Sequence, residues 1–525
     1  YPAEVFSTLF KAYTLQLIIT AIVMFFTVRL SWRHFSGYIG AVSKLKHTYA
    51  LALLPILIIL LALGGRSSLQ HRPANPSVFA FSTDNLVNKL PLSSIYSVLF
   101  SVYNLKHEKN SSEVYGKMKL TEIVARVRAT MTVDSEQFVD SIMPTMHQQT
   151  ATMKREKPLN LVIVLEESLG AGFVESLGGI PVTPNLEKLS KEGIWFKRMY
   201  ATGTRSVRGI EAVTTGFPPT PARSIVKLEG SQRNFFSIAQ LLGERGYHTE
   251  FVYGGESHFD NMRGFFLGNG FKKIVDQKDF LNPKFVSSWG ASDEDLFDKA
   301  LERFDQLQEK GAPFFSLIFT SSNHSPFEVP ENTIKLYDEG QRTVNNAVKY
   351  ADYALGRFFD AVKQKEYYQN TIFLIIADHD TRAHGTSLIP IDKFQIPALI
   401  IAPGVKPSEY EEIASQLDIP PTLLSLMGID SIHPMIGHDL TQDSPQKGRA
   451  LMQYQSTYAY MRGEQVAIFR PEKEPQQFRY SLDDHSLTEA VVQDAELIAD
   501  ALANSLLPSR LYREQLYQPH SLPKN

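Results

Sequence analysis

Short apolar runs that break off abruptly into polar residues constrain this chain most. They occur in "NLVIVLEES" (160–168), "PFFSLIFTSSNH" (313–324), "NTIFLIIADHD" (370–380) and "PALIIAPG" (397–404). Successive residues in each run are apolar, which suits a strand buried on both faces rather than one. Helical stretches lie between them: "PNLEKLSKEG", stopped by Gly193, and "VKYADYALGRFFDAVKQKEYYQ", which leads through a turn into the next strand. "SIAQLLGERGYHTEFVYGG" reads as helix, glycine stop and strand. Doubly buried strands alternating with helices predict an α/β fold, a mostly parallel sheet sandwiched by helices. In such sheets the chemistry gathers at the C-terminal ends of the strands.

The remainder of the chain is organised around that core. Its 525 residues exceed one ordinary core. Two runs of about 17 residues, 12–28 and 49–65, are apolar enough to predict transmembrane helices. Arg29, Arg33, Lys44 and Lys46 fall between them, which predicts a cytoplasmic loop and an outer location for all that follows. The chain begins at Tyr1 rather than Met, and with an outer N terminus this predicts further membrane segments upstream. The expected division is a transmembrane region at 1–66, a juxtamembrane helical connector at 67–156, a catalytic domain at 157–441 and a small α+β C-terminal part at 442–525. Within the connector, "SSIYSVLFSVYNL" and "VYGKMKLTEIVARVRATM" carry apolar residues at helical spacing. They suit either an amphipathic segment on the membrane surface or a stalk packed on the main domain. Mean hydropathy is only −0.16, an average over two unlike parts.

Composition removes whole classes of function. With 53 basic and 56 acidic side chains there is no basic surplus for nucleic acid. There are no cysteines, so disulfides, thiol nucleophiles and cysteine–metal sites are excluded. Any nucleophile is therefore oxygen or nitrogen, and any metal shell is carboxylate, imidazole or hydroxyl.

Four polar strand ends and loops answer that description. Glu166-Glu167-Ser168 follows the first run, where a rigidly held carboxylate suits a hard divalent cation; alone, an acidic pair there more often caps a helix. Asp378-His379-Asp380 follows the third run, with His384 shortly after. "ATGTRSVRGIEAV" (201–213) offers Ser206 and Thr204 at the start of a helix, where the dipole favours an alkoxide. Simple N-capping is the commoner role of such a hydroxyl. Arg205 and Arg208 flank it and suit phosphate oxygens. His324, in "TSSNHSPF", is placed to act on a leaving group or a substrate phosphate. Together these supply two carboxylates, an imidazole and a hydroxyl, a set suited to zinc or manganese.

These residues, in this order, resemble the alkaline phosphatase/sulfatase superfamily and, more closely, membrane phosphoglycerol transferases of the lipoteichoic acid synthase type. "VTPNLEKLSKEGIWFKRMYATGTRSVRGIEA", "YGGESHFDNMRGFFLGNGF", "SSNHSPFEVP" and "SQLDIPPTLLSLMGI" extend the likeness over about residues 159–430. The resemblance implies that Glu167, Asp378 and His379 ligate metal and that Ser206 is both ligand and nucleophile. It implies substrate contacts for His324, His384 and Arg263. The family nucleophile is Thr, whereas Ser206 stands here. The implied donor is an anionic phospholipid, the acceptor a glycan or glycerolphosphate polymer, and the location the outer side of a bacterial cytoplasmic membrane. Sulfatases convert Cys or Ser within Cys/Ser-x-Pro-x-Arg to formylglycine; two residues after Ser206 stands Arg208, not Pro. Phosphoethanolamine transferases carry disulfides in their outer domain, which this chain cannot form. A phosphodiesterase using water, and a catalytically silent envelope partner that has lost metal binding, are the remaining alternatives.

Overall fold

The computed structural model describes residues 14–41, 47–66, 72, 74–381, 383–385, 387–442 and 448–519. The chain divides into two compact units between Pro73 and Ala74.

The first unit contains two helices, Thr14–Ala41 and His47–Arg66. The first of the expected spans runs longer than its apolar stretch. Arg29 and Arg33, expected in a loop, continue the helix to Ala41, because nothing between them breaks helical geometry. Lys44 and Lys46 lie outside the described residues. Apolar side chains such as Ile22, Phe25, Leu57 and Ile58 are about half exposed. Among the described residues, no helix is long and apolar enough to cross a membrane.

The second unit is built on a nine-stranded mixed sheet. Its strands lie in the order Gln395–Ile396, Ile194–Tyr200, Ala398–Ile401, Thr371–Ala377, Asn160–Glu166, Phe314–Phe319, His248–Tyr253 and Lys273–Val275, with Ser408–Ser415 also pairing to Ile194–Tyr200. The five strands from Thr371–Ala377 to Lys273–Val275 are mutually parallel. Ala398–Ile401 runs antiparallel to both of its neighbours, so the "PALIIAPG" run ends the parallel portion. Every residue of the three central strands is buried, as continuous apolar runs require. One helix group covering them pairs Asp293–Glu309 with Val344–Val362; another gathers Ser206–Thr215, Ile238–Glu244 and Ile419–Leu426.

Register is what positions the site. Asn160 begins the central strand and ties both neighbours, its amide donating to Thr371 Oγ1 at 3.3 Å and its carbonyl accepting from Phe314 N at 3.1 Å. Leu165 then lies level with Phe319 and Glu166 with Ala377. The three chains therefore leave the sheet at one height.

The connector from Ala74 onward belongs to this unit. Gly264 N donates to Ser77 Oγ, and Ser111 Oγ meets Ser509 Oγ at 2.6 Å. Arg126 pairs with Glu496 and Asp500. After residue 448 a five-stranded antiparallel sheet and the helix Ala495–Arg513 complete the unit.

Ile163 is fully buried in the central strand. Ile163→Ala should cost about 2–5 kcal/mol through lost transfer energy and the cavity left behind. A urea midpoint lowered accordingly, with unchanged slope, is the measurement.

Candidate active site

Three strand ends and one helix start converge. Leaving the central strand, the backbone turns sharply at Ser168, whose φ of 53° is unusual for a residue with a side chain. The bend is held on all sides. Ser168 N donates to Asp378 Oδ1 at 2.7 Å, and its carbonyl accepts from Asn323 Nδ2 and Thr381 Oγ1. Thr320 Oγ1 accepts from Glu167 N at 2.8 Å. These bonds fix the backbone beneath Glu167, and the Ser168 hydroxyl donates to Glu167 Oε1 at 2.6 Å, which holds the carboxylate itself.

Glu167, Asp378 and His379 each offer a ligand atom, and these atoms all lie within 4.8 Å of one another. All three residues are buried. Glu167 Oε2 accepts from Ser206 Oγ at 3.1 Å, and Ser206 Oγ lies 3.4 Å from His379 Nε2. His379 Nδ1 lies 2.6 Å from the Asp380 carbonyl. A carbonyl only accepts, so Nδ1 carries the proton and a neutral ring turns the Nε2 lone pair toward Ser206 and the carboxylates.

The electrostatics suit a cation. Burial, with the Asp378 charge adding to it, pushes the Glu167 carboxyl up to about 7. Burial likewise pushes Asp378 up to about 7, against the pull of its backbone donors. Asp378 Oδ2 is buried without a hydrogen-bond partner, which is costly for a carboxylate unless something positive meets it. Two buried carboxylates, an imidazole lone pair and a hydroxyl within one small volume therefore fit a divalent metal.

Ser206 is not an N-cap. It is the first residue of the helix Ser206–Thr215; Arg205 occupies the cap position and makes no side-chain cap bond. The Ser206 hydroxyl is thus directed at the cluster instead of at the helix. Thr204 is half-buried two residues earlier, and its hydroxyl is not among the groups bonded to the cluster. The helix approaches closely because position 209 is glycine: a Cβ there would come within 2.6 Å of Asp378 Cα. Gln416 braces the same strand end, its amide donating to the Ala377 and Asp378 carbonyls.

The other expected residues are distributed differently. His324 is half-buried, its Nδ1 at 2.9 Å from the Ser325 carbonyl and its ring 3.7 Å from that of Trp289. It lies outside the ligand cluster, yet close enough for its charge to act on Glu167. His384 is exposed beyond Asp380 and is likewise outside the cluster. Arg205 is exposed at the helix start. Arg208 is buried, its guanidinium bound to Glu211 at 2.7 Å and to the Thr220 and Ala222 carbonyls. Arg263 pairs with Asp276 at 3.1 Å and donates to the Ala80 carbonyl and to Ser257. Both guanidinium groups are engaged by partners within the fold. Thr320, Asn323, Gly209, Gln416 and Trp289 were not singled out from the sequence. The polar run before His324 carried a local signal for the first two; the others depend on approaches between distant segments.

Residues 159–429 match the family model described as Sulfatase, and the chain belongs to that family, within the alkaline phosphatase/sulfatase superfamily. It is similar to the "Lipoteichoic acid synthase-like YvgJ" of Bacillus subtilis, at 22% identity over 75% of this chain and 69% of that protein. It is similar also to "Phosphoglycerol transferase I" of Xanthomonas campestris pv. campestris, at 24% identity over 63% of this chain and 50% of that protein. The chain thus spans about half the length of that second relative. A solved protein of the alkaline phosphatase superfamily from Vibrio parahaemolyticus shares 50% identity, with a TM-score of 0.76 over 78% of this chain and all of the other.

Two outcomes follow from this geometry. Gly209→Ala should wedge the Ser206 helix away from Asp378, costing about 1–3 kcal/mol of stability and about a hundredfold in turnover. Normal turnover with normal stability would refute the close approach. Because the folded carboxyls hold protons up to about 7 while ordinary ones release them near 3.8 to 4.5, the metal-free fold binds more protons than the unfolded chain in that interval. Its stability from this site therefore falls as pH rises, while cation affinity grows. Added manganese should raise the melting temperature more at about pH 8 than at about pH 5, and the difference should vanish in Glu167→Gln/Asp378→Asn.

Proposed function

We propose that this chain is a membrane-held transferase moving a phosphoglycerol-type headgroup from an anionic phospholipid to an envelope glycan or glycerolphosphate acceptor, through a covalent intermediate on Ser206. The observation that carries this reading is the Ser206 hydroxyl, at the first residue of a helix, 3.1 Å from Glu167 and 3.4 Å from His379. Glu167, Asp378, His379 and Ser206 would hold a divalent metal, manganese or zinc, which when bound lowers the pKa of the hydroxyl and offsets charge on the phosphate oxygens.

The remaining steps belong to side chains. Ser206 Oγ attacks phosphorus, its proton directed at Glu167 Oε2, and the bond from phosphorus to the diacylglycerol oxygen breaks. His324, with Nδ1 committed to the Ser325 carbonyl, gives a proton from Nε2 to that leaving oxygen. An acceptor hydroxyl then attacks the adduct, His324 Nε2 takes its proton, the bond from Ser206 Oγ to phosphorus breaks, and the proton held at Glu167 Oε2 returns to Ser206 Oγ. Trp289, against the imidazole, fixes the ring for both transfers. Arg205 is the arginine we assign to the substrate phosphate, since it is exposed at the helix start whereas Arg208 and Arg263 are engaged within the fold.

Membrane attachment is assigned to the two N-terminal helices, whose Ile, Leu, Val and Phe side chains suit lipid, in a bacterial cytoplasmic membrane with the second unit outside. Holding the site beside a donor that stays in the bilayer raises its effective concentration.

The full chain, incubated with manganese and phosphatidylglycerol vesicles, should yield a Ser206 peptide heavier by a phosphoglycerol group. Ser206→Ala should remove the adduct and reduce diacylglycerol release at least about a thousandfold, with the metal-free melting temperature unchanged. Undiminished release would move the attack to Thr204. Free glycerol phosphate formed at the full rate without an acceptor would mark a hydrolase, and no metal uptake would mark a silent partner.

A further inference from the structure

The connector folds onto the second unit, but its helix Ser94–Leu105 presents its apolar side outward. Ile95, Val98, Leu99 and Val102 are between 60% and 75% exposed. Their spacing of three and four residues places them on one face. On the opposite side Asn104 is buried, and Ser97 and Phe100 are half-buried. A surface helix ordinarily has the reverse arrangement, with apolar residues inward. Leu86 and Leu90, one turn apart in the preceding segment, are 62% and 80% exposed and add to the same apolar total. A concentration of this kind marks an interaction surface.

Charge indicates the occupant. The helix itself contains no charged residue, while Lys89, exposed but 3.9 Å from Glu229, precedes it and exposed Lys106 and Lys109 follow it. Arg223 and Lys227, the latter paired with Asp260, join Lys106 and Lys109 near its C-terminal end: burial first, and then these four charges, lower the pKa of His107. An uncharged apolar face with lysines at its C-terminal end matches an anionic lipid surface, with acyl chains meeting the face and headgroups meeting Lys106 and Lys109. Position in the chain agrees, since this segment follows closely on the two apolar helices that end at Arg66.

We propose that Ser94–Leu105 is an interfacial helix that seats its Ile95, Val98, Leu99 and Val102 face in the headgroup region of an anionic bilayer, giving the second unit its own contact with the membrane. The inference rests on the proposed membrane attachment but not on the chemistry at Ser206, and the two can fail separately.

The absence of native cysteine makes the test direct. Leu99→Cys, and Lys310→Cys at an exposed position beside the opposite ends of the strands, are each labelled with an environment-sensitive fluorophore in the full chain. Each is reconstituted into equal parts phosphatidylcholine and phosphatidylglycerol with brominated acyl chains. The Leu99 label should shift to the blue and be quenched by bromine, the Lys310 label should behave as in water, and Lys106→Glu/Lys109→Glu should reduce the Leu99 quenching. Equal behaviour at the two positions would overturn the proposal. So would a Leu99 label shielded from aqueous iodide but not quenched by bromine, which would mean that protein covers the face. Diacylglycerol release measured on the same vesicles reads the catalytic proposal separately.

Discussion

The common register of three parallel strands is the constraint on which the site depends. Asn160 pins the starts of Thr371–Ala377 and Phe314–Phe319 to the central strand, and the ladders carry that alignment to the other end. Asp378 N still finds the Glu166 carbonyl at 3.0 Å, and Thr320 N the Leu165 carbonyl at 3.1 Å. A slip of one residue would reverse the face of every side chain and separate Glu167 from Asp378. The apolar burial that fixes the sheet therefore also fixes the ligand geometry, and no separate scaffold is needed for it.

That arrangement concentrates negative charge in a low-dielectric place. Behind Glu167 lie Glu166 and Asp293, also fully buried, and burial raises both carboxyls; Asp293 reaches about 6. Backbone donors from Ser321 and Ser322 meet Asp293, and Thr320 meets Glu166. These donors hold both side chains in place, while burial favours their protonated forms.

The chemistry-bearing residues were legible to the extent that they terminate local patterns. Glu167 and Asp378-His379 stand where apolar runs stop, and Ser206 stands where a helix begins. The parallel core and the C-terminal antiparallel strands could be read for the same reason. What could not be read is direction. Arg208 sits on the right helix, but its side chain turns into the fold toward Glu211, and Arg263 ties down the connector instead of facing outward; sequence spacing contains no term for either choice. Gly209 and Gln416 act through contact with Asp378, the first more than a hundred residues before it and the second beyond the strands Gln395–Ile396, Ala398–Ile401 and Ser408–Ser415, so nothing local identifies them. The helix through Arg29 and Arg33 ran past its apolar stretch because charge ends hydrophobicity without ending a helix.

The last turns of the described chain have a consequence of their own. Tyr517 OH donates to the Thr215 carbonyl at 2.7 Å, the closing turn of the Ser206 helix, and its ring packs against Phe217 and Phe235. Just upstream, the helix Ala495–Arg513 is clasped by Ser111 and Arg126 of the connector. The connector is therefore tied to the C-terminal helix, and the residues just beyond that helix are tied to the end of the element that carries the hydroxyl. Shortening the described chain from its C-terminal side thus removes contacts of the Ser206 helix before it touches any strand of the central sheet.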